Sequence, residues 1–83
     1  MTHDLNIKYE FAKLHFEGRK DWEIRKNDRD FKVGDLIKFK IIEFSSSTGW
    51  SYTRKITHVY NDTEHGLKEG YVILSIIYVK IPS

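Results

Sequence analysis

No cysteine occurs anywhere in this 83-residue chain, and that absence sets the terms on which it folds. A chain this short lies at the small end of what folds alone without a covalent or metal staple. Here neither a disulfide nor a thiolate metal site is available, so side-chain packing must supply the stability. The chain has the means: 40% of its residues are hydrophobic, and five Phe, five Tyr and two Trp provide large apolar rings, each burying a large area. The charged fraction of 31% is that of an ordinary globular surface and not of a disordered chain. One domain covering residues 1–83 is expected.

Periodicity divides the chain into short elements. Residues 3–8 alternate loosely, with Leu5 and Ile7 on one side, and read as a first strand. Residues 9–17 switch to helical spacing through Phe11, Ala12 and Leu14, with Gly18 placed to end the helix in a left-handed conformation. Residues 21–25 alternate again, Trp22 and Ile24 against Asp21, Glu23 and Arg25; the apolar pair is expected in the core. Turn chemistry follows at Asn27-Asp28-Arg29-Asp30 and at Val33-Gly34-Asp35; Asn27-Asp28 and Val33-Gly34-Asp35 are read as structural, with Phe31 between them as core. Strands are predicted over 36–44, 52–60 and 71–81, separated by a flexible Ser-rich loop at 45–49 and a polar loop at 61–70 with a helical turn near 64–67. The last strand is apolar on both faces, as suits an interior position, and Pro82 ends it. One helix near the N-terminus and about five short strands predict an α+β domain built as a small barrel or rolled sheet.

Charge narrows the functional classes. The net charge is +2 and the pI about 8.9. Residues 1–40 hold ten Lys/Arg against eight Asp/Glu, and residues 41–83 hold four of each. The excess lies in the first half and is too small for an extended nucleic-acid footprint, so any such contact is local. The polar N-terminus lacks a hydrophobic signal region, and the longest apolar stretch, 71–79, is too short to span a bilayer. A cytoplasmic protein without membrane contact is expected, with a monomer favoured. His3, His15, His58 and His65 show no metal-ligand spacing, and no metal or other cofactor is implied.

The densest chemistry lies in residues 18–35. Glu23 and Arg25 project from one strand face, Lys20 sits in the connection before it, and Asn27 and Arg29 lie in the turn after it. Arg offers a rigid fork of donors to phosphate or a base edge, Lys a mobile charge, and Glu an acceptor for an exocyclic amine. Such a set suits a nucleobase or nucleotide; equally, Glu23, Arg25, Asp28 and Arg29 can form a salt-bridge network that only fixes the turn. Trp50 and Tyr52 follow the Ser-rich loop and read either as stacking platforms for a base or as closure of a small core.

Gly18-x-Lys20-x-x-Glu23-x-Arg25 resembles the G-x-K-x-x-E-x-R motif of ASCH domains in the PUA-like superfamily. The continuation through Lys26-Asn27-Asp28-Arg29 to Val33-Gly34-Asp35 is similar to that of a group of short bacterial and phage proteins of unknown function within it. The resemblance implies a PUA-like β-barrel with the motif lining a cleft between helix and barrel. It implies a non-catalytic module for RNA or a (modified) nucleotide, with Lys20, Glu23, Arg25, Asn27 and Arg29 as ligand-binding residues. An alternative is a small amidohydrolase on acylated cytidines, which resembles this chain at Lys20; the family's threonine three residues later is Glu23 here, and that neighbour favours a charged lysine over a basic one. A further alternative is a protein-interaction accessory factor, marked by an exposed apolar patch around Trp50.

Overall fold

The computed structural model describes residues 1–80. Five strands and one helix follow in the order β1 (Thr2–Lys8), α1 (Tyr9–Phe16), β2 (Trp22–Lys26), β3 (Leu36–Glu43), β4 (Ser46–Tyr60) and β5 (Tyr71–Tyr78). The strands form a single sheet ordered β1-β3-β4-β5-β2, with β1 parallel to β3 and the other pairs antiparallel. The expected α+β class and strand number hold, but the sheet curls into a half-barrel. The edges β1 and β2 are not hydrogen-bonded to each other as strands, so the predicted removal of exposed edges is incomplete. No helix among the described residues is long and apolar enough to cross a membrane.

The core fills the concave face. Leu5 and Ile7 from β1, Ile37, Phe39 and Ile41 from β3, Ile56 from β4, and Val72, Leu74 and Ile76 from β5 are all buried. These β-branched and aromatic residues suit a pleated, half-buried surface. Cross-strand partners share a face: Leu5 opposes Phe39, Ile7 opposes Ile41, and Phe39 opposes Tyr52, whose ring stacks on it at 5.2 Å. Phe31 closes the open end against His3, their rings 4.8 Å apart, and is buried as expected. Residue 81 of the predicted last strand, and Pro82, lie outside the described residues; Tyr71–Tyr78 form β5, interior between β4 and β2, and Val79 and Lys80 are not part of the strand.

Four sequence expectations need correction. The helix buries Ala12 and His15, while Phe11 is 42% exposed. Trp22 and Ile24 are not core residues: Glu23 is the buried member of β2. The 45–49 segment is not a flexible loop, because β4 already begins at Ser46 and the connection is a two-residue turn, Phe44-Ser45, closed by the Glu43–Ser46 pair. The polar loop carries a hydrogen-bonded turn at 63–66 rather than a helical turn near 64–67: the Gly66 amide donates to the Thr63 carbonyl and Gly66 leaves the helical region at φ 99°.

Both central residues of the β3–β4 turn have positive φ, 52° and 62°. That is the signature of a type I′ hairpin, which ordinarily takes Asn-Gly. Phe44 occupies it while 93% exposed, so no packing offsets the strain. Replacing Phe44-Ser45 by Asn-Gly is expected to stabilise the protein by about 1–2 kcal/mol, measured by urea unfolding. Phe39→Ala is expected to cost about 3–5 kcal/mol in the same assay.

Candidate functional site

The site begins with the register between β2 and β5. Glu23 opposes Leu74 and Arg25 opposes Val72, whereas Trp22 opposes Ser75 and Ile24 opposes Ile73. Leu74 and Val72 are core residues, so their partners point into the concave face as well. A carboxylate is thereby placed where an apolar side chain would ordinarily sit, at the rim of the core beside α1.

Both oxygens of that carboxylate are engaged. Lys20 Nζ donates to Glu23 Oε1 at 2.6 Å. Arg25 reaches Oε2 side-on, through Nε and Nη2, both at 3.0 Å. His15 Nε2 lies 3.0 Å from Oε1, within ion-contact distance but off the line of a well-formed hydrogen bond, and it has no other partner among the described residues. On its far side, His15 Nδ1 is 2.7 Å from the Tyr52 hydroxyl. A polar chain thus runs from Tyr52 on β4 through His15 on α1 to Glu23 on β2 and out to Lys20 and Arg25.

The electrostatics follow from this arrangement. Burial alone would raise the Glu23 carboxyl, but the contacts from His15 and Lys20 and the charges of Lys20 and Arg25 outweigh it and hold the group at about 2. An ionised carboxylate can only accept, so the Nε2 facing it carries hydrogen and, in neutral His15, Nδ1 accepts from the Tyr52 hydroxyl. Burial, aided by the Glu23 charge and opposed by Arg54 and Arg25, pushes the Tyr52 phenol up, which keeps it a donor.

Local chemistry explains how each side chain is delivered. Gly18, at φ 70°, turns the chain out of α1, and its amide donates to the His15 carbonyl at 3.1 Å. Lys20 emerges from this turn with its ammonium 5.0 Å from both the Phe11 and Trp22 ring centres, within cation–π range. Arg25 also spans the gap between the sheet edges, donating through Nη2 to the Asn6 carbonyl of β1 at 3.0 Å. Arg29 does the same to the Asp4 carbonyl at 2.8 Å. Two guanidinium groups therefore tie the otherwise unpaired edges together.

Beside the tied edges lies a groove of about 610 Å³ between α1, β1 and β2. Its charged lining is Lys8, Arg19, Lys20 and Arg25 against Glu23 alone, and Phe11 and Trp22 flank it. Of the five residues that the sequence groups together, Lys20, Glu23 and Arg25 meet here. Asn27 and Arg29 do not line the groove: the Asn27 side chain accepts from the Phe31 amide within its own turn, and Arg29 is engaged with β1. Tyr52 is a network residue with its ring on Phe39, and Trp50 is 74% exposed on a separate hollow across α1. Neither stands beside the basic groove.

Sequence reasoning passed over His15, Phe11, Trp22 and Arg19. The 9–17 periodicity carried a signal for His15, since it lies three residues after Ala12 on the same helical face. Arg19 and Trp22 bracket Lys20 in the motif, but their part in the groove depends on which face of β2 turns inward. His3 is a second buried histidine, its Nε2 2.8 Å from Asp35 Oδ2. That hydrogen bond, partly countered by desolvation, together with the Lys32 amide and the N-terminal ammonium holds the Asp35 carboxyl below its usual range. Asp35 thereby ties β1 to the Val33-Gly34-Asp35 turn. Among the described residues, no group of three or more His, Cys, Asp or Glu is placed to hold a metal ion.

Fold and site together define a small half-barrel domain with a cationic, aromatic-flanked groove at its open seam. Residues 2–76 match the family described as Domain of unknown function (DUF3850), and the chain belongs to that family. No curated protein matches the sequence. The fold is similar to the crystal structure of hypothetical protein PH0355, with a TM-score of 0.61 and 20% identity over 92% of this chain and 97% of that one; the likeness concerns fold alone.

A carboxyl whose folded pKa lies below its unfolded value stabilises the fold above the unfolded pKa and loses that contribution as acid protonates it. For Glu23 the window runs from 4.5 down to about 2, with a loss on the order of 3 kcal/mol. Denaturation midpoints are expected to fall across this range in the parent, while Glu23→Gln starts lower at neutral pH and shows a flatter acid limb.

Proposed function

We propose that the groove between α1 and the two sheet edges binds RNA or a nucleotide, including a modified one, and that the chain is a non-catalytic, ASCH-type member of the PUA-like superfamily. The observation that carries this reading is the composition of the groove: four cations against one carboxylate, with two half-exposed aromatic rings beside the central lysine. Cations attract phosphate, and flanking rings offer stacking surface to a base. The resemblance of Gly18-x-Lys20-x-x-Glu23-x-Arg25 to the ASCH motif supports the same assignment.

Roles divide by how each residue is held. Glu23 is engaged at both oxygens by internal partners, so its part is to position Lys20 and Arg25 rather than to read a base amine. Arg19 and Lys8 form no ion pair among the described residues and are the cations most available to a phosphate. Trp22 and Phe11 supply the stacking faces. Asn27 and Arg29 contribute by fixing the turn and the seam. A cytoplasmic protein fits this reading.

Binding is favoured over hydrolysis of acylated cytidines. A lysine base needs a free lone pair, whereas Lys20 is ion-paired to Glu23 at 2.6 Å. The groove lining holds no threonine and no second carboxylate.

Titration with nucleosides, acylated cytidines, nucleotides and short single-stranded RNA at two salt concentrations tests the assignment. RNA affinity is expected to fall with a log–log slope of roughly −0.7 per phosphate contacted. Trp22→Ala, at a half-exposed position with no hydrogen bond to Glu23, is expected to weaken binding by about 1–3 kcal/mol. Arg19→Ala should reduce the salt slope by about one phosphate's worth. Salt-insensitive binding that ignores both substitutions, or turnover of acetylated cytidine lost in Lys20→Ala, would reject the proposal.

A further inference from the structure

The opposite flank of α1 carries a second concave surface of different character. Tyr9 and Phe16, two helical turns apart, face the same side and border a hollow of about 420 Å³ whose other wall includes Trp50 and Glu43. The three rings are 48%, 55% and 74% exposed. Large rings gathered around one hollow and left open to solvent mark an interaction surface more often than a stray exposed side chain does.

Two further features converge here. Opposite Ile41, β4 leaves the regular register between Ser47 and Ser51. Gly49 takes φ 81° there, and the Thr48 hydroxyl bonds the Ile41 carbonyl at 2.9 Å. Trp50 lies in this irregular stretch, on the rim of the hollow. The strained Phe44-Ser45 turn borders an adjoining hollow that shares Tyr9 and Glu43. Such local cost is characteristic of functional surfaces.

Charge selects the occupant. Glu43 and Glu10 line these hollows and make no ion pair among the described residues, and of the described residues that line them Lys8 alone is cationic. Elsewhere in the molecule aromatic rings receive cations from the chain itself: Lys20 over Phe11 and Trp22, Arg54 over Tyr52 and Tyr78. Tyr9, Phe16 and Trp50 receive none among the described residues. An aromatic hollow with unpaired carboxylates at its rim suits a cationic side chain, by cation–π attraction and ion pairing together, and repels a polyanion. We propose that this flank of α1 docks a basic segment of a partner protein, seating an arginine or lysine side chain among Tyr9, Phe16 and Trp50 with Glu43 as its counter-charge.

Calorimetric titration of the full chain with synthetic hexapeptides tests this: one alternating Arg and Lys, one of Gln, and one of Glu. The basic peptide is expected to bind and the other two not to. Trp50→Ala and Glu43→Gln, both at exposed positions and checked for an unchanged melting temperature, should each weaken it about tenfold. Tyr78→Ala, an equally exposed ring on β5, should leave it unchanged. Absence of basic-peptide binding, equal binding by the Trp50 and Glu43 variants, or equal loss in the Tyr78 variant would overturn the proposal. So would sedimentation showing self-association of the parent that Trp50→Ala abolishes, since a second copy would then be the occupant.

Discussion

The site depends on one buried carboxylate. Glu23 sits in the core face of an edge strand and is compensated from three directions: His15 on the helix, Lys20 in the connection, Arg25 two residues on in its own strand. Burying a charge costs several kcal/mol unless partners replace its water. Here the cost is offset by side chains from α1, from the α1–β2 connection and from β2, so the compensation also fixes how these pieces sit together. Remove the carboxylate and the Lys20 ammonium and His15 Nε2 lose their acceptor, while Arg25 keeps the Asn6 carbonyl.

That arrangement explains why the sheet can stop short of closing. A sheet edge with free carbonyls is a liability. Arg25 and Arg29 reach from β2 and the turn after it to the Asn6 and Asp4 carbonyls of β1, bridging the seam with side chains instead of a ladder. A seam closed this way leaves room beside it, and the groove with Lys20, Trp22 and Arg19 occupies that room. The helix separates two surfaces of opposite character, a cationic groove on one flank and an aromatic hollow on the other, whose carboxylates make no ion pair among the described residues.

The element order was readable because helix and strand periods differ and because Gly18, Asn27 and Gly34 mark the breaks. The alternation of Trp22, Ile24 against Glu23, Arg25 was readable too, but its direction was not. Periodicity states which residues share a face; the pairing of Glu23 with Leu74 states which face is inward, and that is a long-range fact. The hairpin at Phe44-Ser45 was hidden because neither residue is one that positive φ ordinarily selects. Lys20, Glu23 and Arg25 were legible as a group from their spacing and the motif. Tyr52 and His15 were not, since 37 residues separate them and only the Phe39–Tyr52 register brings β4 under the helix.

Chemical-shift mapping of the isotopically labelled protein with a short single-stranded RNA tests the central claim most directly, because it locates contact without altering the Glu23 network. The account requires the shifts to cluster on Phe11, Arg19, Lys20, Trp22 and Arg25. Shifts confined to the Tyr9, Glu43 and Trp50 flank, or no shifts at all, would contradict it.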